Sequence, residues 1–228
     1  MRATFVARSM PAKGIYTFNF KTDKKISFIP GQFIELSVDS SFSHEPNKRW
    51  FTISSSPYDE LISITTKLQV DGSLSKFKET LDNLKPGEPV HISQAMGDFV
   101  LPLDKAKPLL MVAGGIGITP YLSMLKDMEN NPDHIFSELS LIYCVKDFAQ
   151  AIDLSSYDDL FRHYELIERS DSLADKIISW QKNNQAGLIY LAGPEKMVES
   201  LAEQLDQGGV NSGSIVKDFF AGYTQGNQ

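Results

Sequence analysis

The stretch Leu109–Pro120, "LLMVAGGIGITP", changes from a continuous apolar run to closely spaced glycines and then to a proline. A continuous apolar run is typical of a strand that is buried on both faces of a parallel sheet. Glycines after such a strand let the backbone approach a ligand, and the free N–H groups at the start of the next helix favour a phosphate. The stretch predicts a nucleotide-binding turn, although its G-x-G-x-x-P spacing departs from the G-x-G-x-x-G fingerprint.

The chain on the C-terminal side of this stretch repeats the same pattern. Apolar runs predict further strands at 139–143, 163–167 and 188–191, and helices are predicted at about 121–129 and 195–205. Strands that alternate with helices predict a doubly wound parallel sheet. A second glycine turn, "YLAGPEKMV" at 190–198, follows the last of these strands. Both turns are therefore expected at the carboxyl edge of one sheet, where they would frame a dinucleotide.

The N-terminal part of the chain has a different residue pattern. Short runs of β-branched and aromatic residues alternate with turns that contain proline or glycine, and these runs lie at 3–8, 15–20, 32–38, 50–54, 61–68 and 89–94. Their spacing predicts a small antiparallel β-barrel, interrupted by one helix from Ser73 to about Asn83. The polar stretch "LDKAKP", which ends in proline, separates the two residue patterns, so we predict one domain over residues 1–103 and a second over 104–228.

Composition excludes several classes of protein. The chain has 228 residues, of which 42% are hydrophobic and 22% charged, as is ordinary for a globular protein. Its net charge of -7 argues against general nucleic-acid binding, which needs a basic surface. No apolar window is long enough for a signal peptide or a membrane-spanning helix, so we expect a cytoplasmic protein without membrane insertion.

Metal chemistry is not expected from this sequence. The only cysteine, Cys144, excludes an internal disulfide framework and a four-cysteine zinc or iron–sulfur site. The four histidines do not show the spacing of metal ligands. Any redox chemistry therefore has to come from a bound organic cofactor or from a partner.

The chain resembles the ferredoxin-NADP reductase family of flavin oxidoreductases over nearly its whole length. Seven blocks carry the resemblance in the family's order: PGQF (30–33), RWFTISSSP (49–57), GSLS (72–75), GDFVLP (97–102), AGGIGITP (113–120), LIYCVKD (141–147) and YLAGPEKMV (190–198). The resemblance implies an FAD-binding antiparallel barrel followed by an NAD(P)-binding α/β domain. It favours FAD over FMN as the bound flavin.

The resemblance also implies roles for residues of the barrel. Arg49 matches the arginine that binds the flavin phosphate, and Phe51 matches the aromatic residue on the flavin ring, which is usually tyrosine. Thr52 matches a hydroxyl residue near the reactive flavin nitrogen and is a predicted catalytic residue. Further residues expected to bind flavin are Trp50, Thr65, Thr66, Lys67, Gly72, Ser73, Leu74 and Ser75. A surface ion pair for Arg49, core packing for Phe51 and helix capping for the serines remain alternatives.

In the second domain the resemblance implies two nucleotide-binding loops. The first loop contains Gly115, Gly117, Ile118, Thr119 and Pro120, and the second contains Ala192, Gly193, Pro194, Glu195 and Met197. The family often has cysteine where this chain has Ala192, so hydride transfer is expected to be slower or differently oriented. An aromatic residue near the C-terminus is expected to cover the flavin, and Phe219, Phe220 and Tyr223 are the choices, with Phe220 as a predicted catalytic residue.

The choice between NADPH and NADH is open at the sequence level. Lys146 would attract the 2′-phosphate of NADPH, whereas Asp147 would accept a hydrogen bond from the ribose 2′-hydroxyl of NADH. The resemblance implies an enzyme that takes hydride from NADPH or NADH onto FAD. Its electrons are expected to pass to a separate acceptor such as ferredoxin, another redox protein or a small molecule. The alternatives are a free-flavin or ferric reductase and a non-catalytic nucleotide-sensing or regulatory subunit.

Overall fold

The computed structural model describes residues 1–38, 47–70, 72–168 and 172–220. Six antiparallel strands form its first sheet: β1 (Arg2–Ala12), β2 (Ile15–Thr22), β3 (Phe33–Val38), β4 (Asn47–Thr52), β5 (Ile62–Lys67) and β8 (Pro89–Ile92). Their order is β4-β3-β8-β1-β2-β5, and an antiparallel bridge between Ile53 and Ile64 joins the ends of the two outer strands. The predicted antiparallel barrel with six strands is confirmed.

The barrel is filled by the residues that alternate along its strands. Phe18 and Phe20 on β2 are fully buried, as is Ile34 on β3. The ring of Phe5 on β1 lies 6.1 Å from that of Phe18 and 5.9 Å from that of Phe20. Side chains of successive residues in a strand point to opposite faces, so the apolar set lines the barrel interior.

The segment between β5 and β8 differs from the prediction at one point. A short hairpin of β6 (Gln69–Val70) and β7 (Ser73–Leu74) precedes α1 (Lys76–Asn83), so the predicted helix start at Ser73 is wrong. Gly72, at φ 77°, supplies a left-handed turn residue beside this hairpin. The Ser75 hydroxyl accepts a hydrogen bond from the N–H of Lys78 and caps the helix, which therefore begins three residues later than expected.

The second sheet is parallel throughout. It consists of β9 (Leu109–Gly114), β10 (Leu139–Val145), β11 (His163–Glu168), β12 (Leu188–Pro194) and β13 (Ile215–Phe220), in the order β11-β10-β9-β12-β13. Every residue of β9 and of β10 is buried, which explains their continuous apolar sequence. The predicted parallel α/β architecture is confirmed.

Three further helices accompany this part of the chain: α2 (Thr119–Asn130), α3 (Leu173–Asn183) and α4 (Glu195–Gln207). A 3-10 turn over Gly115–Ile118 leads from β9 into α2. Helices α3 and α4 cover the sheet with Ile177, Val198 and Leu201, which pack in one core with strand residues. No helix in the described ranges is long and apolar enough to cross a membrane.

The contacts divide the chain into two units. The first unit comprises Met1–Leu101 and Thr119–Asn130, and the second comprises Pro102–Ile118 and Asn131–Gln228. Helix α2 belongs to the first unit, where the hydroxyl of Ser123 donates a hydrogen bond of 2.6 Å to the carbonyl oxygen of Ser55. The domain boundary predicted between residues 103 and 104 stays a prediction.

Candidate functional site

Arg49, Phe51 and Phe77, together with the start of α1, form a group that we call the barrel site. The ring of Phe77 lies 5.7 Å from that of Phe51, and the guanidinium of Arg49 lies 5.6 Å from the centre of the Phe77 ring. Phe77 is buried, whereas Arg49 and Phe51 are half-buried. The site thus presents a cation beside aromatic surface, which suits a ligand that combines a phosphate with a flat ring.

Strand alternation separates the predicted residues of β4. Arg49 and Phe51 lie on one face of the strand and Trp50 on the other, where its side chain is 63% exposed and its ring is 5.9 Å from that of Phe33. Thr52, the last residue of β4, is buried. The structure brings Arg49 and Phe51 together on Phe77 and places Trp50 away from them, while the flavin roles of Trp50 and Thr52 stay predictions.

The hydroxyls of β5 have different surroundings. Thr65 exchanges hydrogen bonds of 2.9 Å with the hydroxyls of Thr17 and Ser54, which makes a short chain of hydroxyls. Thr66 is also buried, and its hydroxyl makes a longer bond of 3.3 Å to the carbonyl oxygen of Lys67. Thr65 therefore has a structural role whether or not it lines a ligand.

The GSLS block lies at the entrance to α1. Ser73 and Leu74 form β7 and are exposed, and Gly72 lies in the adjoining turn. The Ser75 hydroxyl lies 3.3 Å from the N–H of Lys78, which it caps. Backbone N–H groups at a helix start carry partial positive charge and can bind an anion together with a cation such as Arg49.

Gly114, Gly117, Ala192, Gly193 and Met197 form a second group, the glycine site, within the second unit. A Cβ atom at Gly117 would lie 2.1 Å from the carbonyl oxygen of Ala192, and one at Gly114 would lie 2.2 Å from the sulfur of Met197. Strands β9 and β12 are parallel neighbours. The two predicted loops therefore meet at the carboxyl edge of the sheet. Their contact requires glycine at position 117, where the neighbouring atoms belong to the backbone, whereas at position 114 the neighbour is the flexible side chain of Met197.

The other residues of the two loops are placed as follows. Ala192 is fully buried and lies opposite Ala113 in the sheet. Gly115 has φ 54°. The buried members are Ile118, Thr119 and Pro120, and the members at the start of α4 are Pro194, which is exposed, and Glu195, which is half-buried. No side chain caps this helix start.

Lys146 and Asp147 follow β10, whose residue Cys144 is in register with Gly114 of β9. The carboxylate of Asp147 is half-buried and accepts a hydrogen bond of 2.9 Å from the N–H of Ala149, whereas Lys146 is exposed. Asp153 lies further along this segment, and hydrogen bonds from the backbone and hydroxyl of Ser155 hold its pKa below the ordinary value. The structure thus orients the carboxylate of Asp147.

The C-terminal aromatic residues Phe219 and Phe220 lie beside the second loop in the sheet. Phe219 and Phe220 of β13 are in register with Gly193 and Pro194 of β12. The Phe219 side chain is 46% exposed. The side chain of Phe220, together with the whole of Tyr223, lies outside the described residues, so the predicted catalytic role of Phe220 stays a prediction.

The histidine, cysteine and acidic side chains of the described residues are not clustered as metal ligands. Within the described ranges, no group of three or more histidine, cysteine or acidic side chains could hold a metal ion. Cys144 is buried in the core of the second unit, as expected for a small apolar side chain.

Sequence reasoning missed Phe77, Lys78 and Gly114. Phe77 was assigned to the helix but not to the site, and only the tertiary contact with Phe51 and Arg49 reveals its position. The sequence did carry a signal for Lys78, because lysine in the first turn of a helix opposes the helix dipole. Gly114 ends β9, and its contact with Met197, which is distant in sequence, arises only in the tertiary structure.

The antiparallel barrel and the parallel sheet with paired glycine turns are the two architectures that the resemblance to flavin oxidoreductases implies. Residues 106–166 match the family described as the ferric reductase NAD binding domain.

Two relatives match most of the chain in sequence. A flavohemoprotein from Bacillus cereus is 26% identical over 227 residues, which cover 86% of this chain and 54% of that protein. The toluate 1,2-dioxygenase electron transfer component from Pseudomonas putida is 27% identical over 211 residues, which cover 86% of this chain and 60% of that protein. The chain thus spans a little over half the length of these relatives.

The fold matches solved structures over nearly its whole length. The crystal structure of a ferredoxin NADP+ reductase from Neisseria gonorrhoeae with bound FAD and NADP has a TM-score of 0.79 and 18% identity, and the match covers 96% of this chain and 98% of that one. This likeness shows that the chain has the fold of that reductase, and the sequence matches agree with it.

Proposed function

We propose that the protein is an FAD-dependent NAD(P)H oxidoreductase that passes electrons to a separate acceptor. The observation that carries the proposal is the barrel site, where the Arg49 guanidinium and the Phe51 ring both contact Phe77 at the start of α1. The similarity in sequence and fold to flavin- and nucleotide-binding reductases supports the same activity. Two relatives are a flavohemoprotein and an electron transfer component of a dioxygenase.

The residues of the barrel site fit a flavin. Arg49 is half-exposed, so its guanidinium can make charge-assisted hydrogen bonds to a phosphate, and the N–H groups at the start of α1 can add to them. Phe51 offers a ring face to the isoalloxazine, and Thr52 offers a hydroxyl at the end of the same strand. When bound, FAD would accept a hydride from NAD(P)H and release electrons singly or in pairs.

The glycine site fits the nicotinamide dinucleotide. Close packing of Gly114 and Gly117 against the second loop holds the backbone of both loops at the carboxyl edge of the sheet. The uncapped first turn of α4 offers backbone N–H groups to a phosphate. Ala192 supplies packing in place of a thiol, so this chain would orient the nicotinamide by shape alone at that position.

The proposed function is tested by the absorbance spectrum of the purified protein before and after anaerobic addition of NADH or NADPH. We expect a flavin band at about 450 nm that one of the nucleotides bleaches. A colourless protein that reduces added flavin would favour the free-flavin or ferric reductase. A flavin-loaded protein that never turns over with a dye acceptor would favour the non-catalytic nucleotide-sensing subunit.

Replacing Arg49 tests the phosphate contact. We expect Arg49→Ala to weaken FAD binding about 10- to 100-fold, because a hydrogen bond to a charged group contributes about 1.5 to 3 kcal/mol. Flavin retention on gel filtration and a fluorescence titration would measure the change. Lys48→Ala is the matched control, because Lys48 is the exposed neighbour of Arg49 and pairs instead with Glu35 at 2.8 Å. Full flavin retention by Arg49→Ala would contradict the proposal that Arg49 binds the flavin phosphate.

For the electron acceptor we propose a separate redox protein, such as a ferredoxin or a haem or oxygenase component. The proposal rests on the two relatives, which belong to haem and dioxygenase systems by name. NAD(P)H-dependent reduction of a one-electron protein acceptor should be faster than reduction of free FAD supplied as a substrate. The opposite order would favour the small-molecule alternative.

For the electron donor we propose NADH. The carboxylate of Asp147 is oriented by Ala149 at the edge of the sheet beside the glycine site, where it can accept a hydrogen bond from a ribose hydroxyl and repel a 2′-phosphate. Residues 146–162 contain four aspartates against one lysine and one arginine, a net charge of -2. This segment therefore disfavours the additional phosphate of NADPH.

The donor preference is tested by kcat/KM for both nucleotides. We expect the wild-type protein to prefer NADH, and Asp147→Ser to shift the preference about 5- to 10-fold towards NADPH, which is about 1 kcal/mol of charge repulsion. Asp133→Ser, in an exposed turn after α2, is the control. A wild-type preference for NADPH would contradict this assignment and leave the flavin assignment intact.

A further inference from the structure

The first turn of α1 carries an arrangement of charge that is unfavourable for the helix itself. Lys76 and Lys78 lie in this turn together with the single acidic residue Glu79. The start of a helix bears a partial positive charge, which disfavours cations and favours anions. Lys78 is in addition half-buried, so its ammonium has lost part of its hydration.

The surroundings of Lys78 increase this cost. Its Nζ donates a hydrogen bond to the carbonyl oxygen of Lys67, at the end of β5. Burial and, secondly, the nearby charge of Lys67 lower the pKa of Lys78 below its ordinary value. No acidic side chain in the described ranges forms an ion pair with Lys78. A half-buried ammonium beside a second ammonium is stabilised when an anion binds next to both.

Lys78 lies beside the barrel site, in the first turn of α1. Its backbone N–H is the one that Ser75 caps, and the preceding residue is Phe77, on which Arg49 and Phe51 pack. The Lys67 carbonyl that accepts from its Nζ ends the strand that contains Thr65 and Thr66. The side chain of Lys78 thus connects the two segments of the barrel that are assigned to flavin.

We propose that Lys78 is a second cationic ligand of the flavin phosphate and acts beside Arg49. This inference rests on the proposed binding of a flavin at the barrel site. It adds to that proposal a specific contact, because the ammonium of Lys78 would bind the phosphate as well as the carbonyl oxygen of Lys67. An ammonium that is poorly hydrated in the flavin-free protein is stabilised when a phosphate lies beside it.

The test compares FAD, FMN and riboflavin as probes, because riboflavin has the same ring without a phosphate. We expect Lys78→Met to weaken FAD binding roughly 10- to 100-fold, the worth of one charge-assisted hydrogen bond. Riboflavin affinity should stay within about twofold of the wild-type value. An equal loss for FMN would indicate a contact with the phosphate nearest the ribityl chain, and a loss for FAD alone would indicate a contact with the diphosphate. Lys85→Met, an exposed lysine after the same helix, should change none of these affinities.

Two further readouts separate phosphate binding from a structural role. The flavin-free Lys78→Met protein should melt at the same temperature as the wild type or higher, because a poorly hydrated charge has been removed, whereas loss of a structural bond would lower it. FAD affinity of the wild type should fall as pH rises through the pKa of Lys78, which lies below 10.5. Lys78→Arg should bind FAD without this pH dependence, since arginine stays charged.

Several outcomes would overturn the inference. They are unchanged FAD affinity in Lys78→Met, or equal losses for FAD and riboflavin whether or not the melting temperature falls. If the wild-type protein binds no flavin at all, the proposed function fails and the role of Lys78 fails with it. If the wild type binds FAD and Lys78→Met binds it equally well, only the inference about Lys78 fails.

Discussion

Adjacent residues of β4 have opposite surroundings, and this difference decides what each can do. Arg49 and Phe51 contact Phe77, while Trp50 between them is largely exposed on the other face. The sequence motif predicted all three as flavin-binding residues because a linear motif carries no information on direction. Strand alternation supplies that direction once the strand register is known.

At the residue scale we predict that Phe51→Ala and Trp50→Ala differ. Phe51 packs against the barrel core, so its removal should lower the free energy of unfolding by about 1 to 3 kcal/mol and weaken FAD binding. Trp50→Ala should cost less than about 1 kcal/mol, because the side chain is mainly in solvent. Urea unfolding and FAD titration of both variants would check this. Greater loss of FAD in Trp50→Ala would place the flavin on the other face of β4.

At the scale of secondary-structure elements, the local pattern of apolar residues predicted which segments are strands and which are helices. The residues at which these elements begin and end depend instead on individual hydrogen bonds. Burial on both faces made β9 and β10 recognisable, and alternation identified the barrel strands. The start of α1 was predicted too early because Ser73 and Ser75 are both good caps. Only Ser75 has its hydroxyl directed at the N–H of Lys78.

The junction between β9 and β12 gives a prediction at this scale. Gly117→Ala should shift the backbone of the two loops, because the new Cβ would lie 2.1 Å from the carbonyl oxygen of Ala192. We expect a cost of more than about 2 kcal/mol in unfolding free energy and loss of NADH binding, with FAD binding retained.

Gly213→Ala is the control for Gly117→Ala. Its nearest neighbour would be the Asn211 Oδ1 at 3.3 Å, so the unfolding free energy should change much less. Calorimetry and nucleotide titration would measure both variants. Wild-type nucleotide affinity in Gly117→Ala would show that the contact between the loops is dispensable.

At the scale of the whole molecule, the two units hold different titratable groups. Burial raises the pKa of Tyr143, Tyr164 and Tyr190 in the second unit, whereas Lys78 in the first unit has a lowered pKa. A tyrosine with a raised pKa stabilises the fold fully below about pH 10, its unfolded pKa, and loses this contribution as pH rises towards the folded pKa. A lysine with a lowered pKa has the opposite effect on stability. The free energy of unfolding rises as pH rises through the folded pKa of Lys78, because the half-buried ammonium loses its charge.

We therefore predict that the second unit unfolds first in alkali. Trp50→Phe leaves Trp180 on α3 as the reporter of the second unit, and Trp180→Phe leaves Trp50 as the reporter of the first. The fluorescence change of Trp180 should occur at lower pH than that of Trp50. Tyr143→Phe should raise the midpoint pH of the second unit, because it removes one buried ionisable hydroxyl. An unchanged midpoint would contradict the contribution of Tyr143.

The sequence by itself determined the two architectures and the positions of their motifs, because side-chain period and turn chemistry are local properties of the chain. Through the order of seven blocks it predicted Arg49, Phe51 and the two glycine loops as site residues. Tertiary structure alone decided that Phe77 contacts both Arg49 and Phe51, and that Gly117 lies against the backbone of Ala192. It also decided that Lys78 reaches the end of β5. These contacts join residues from separate elements, and their geometry follows from sheet register and packing, which a linear pattern does not contain.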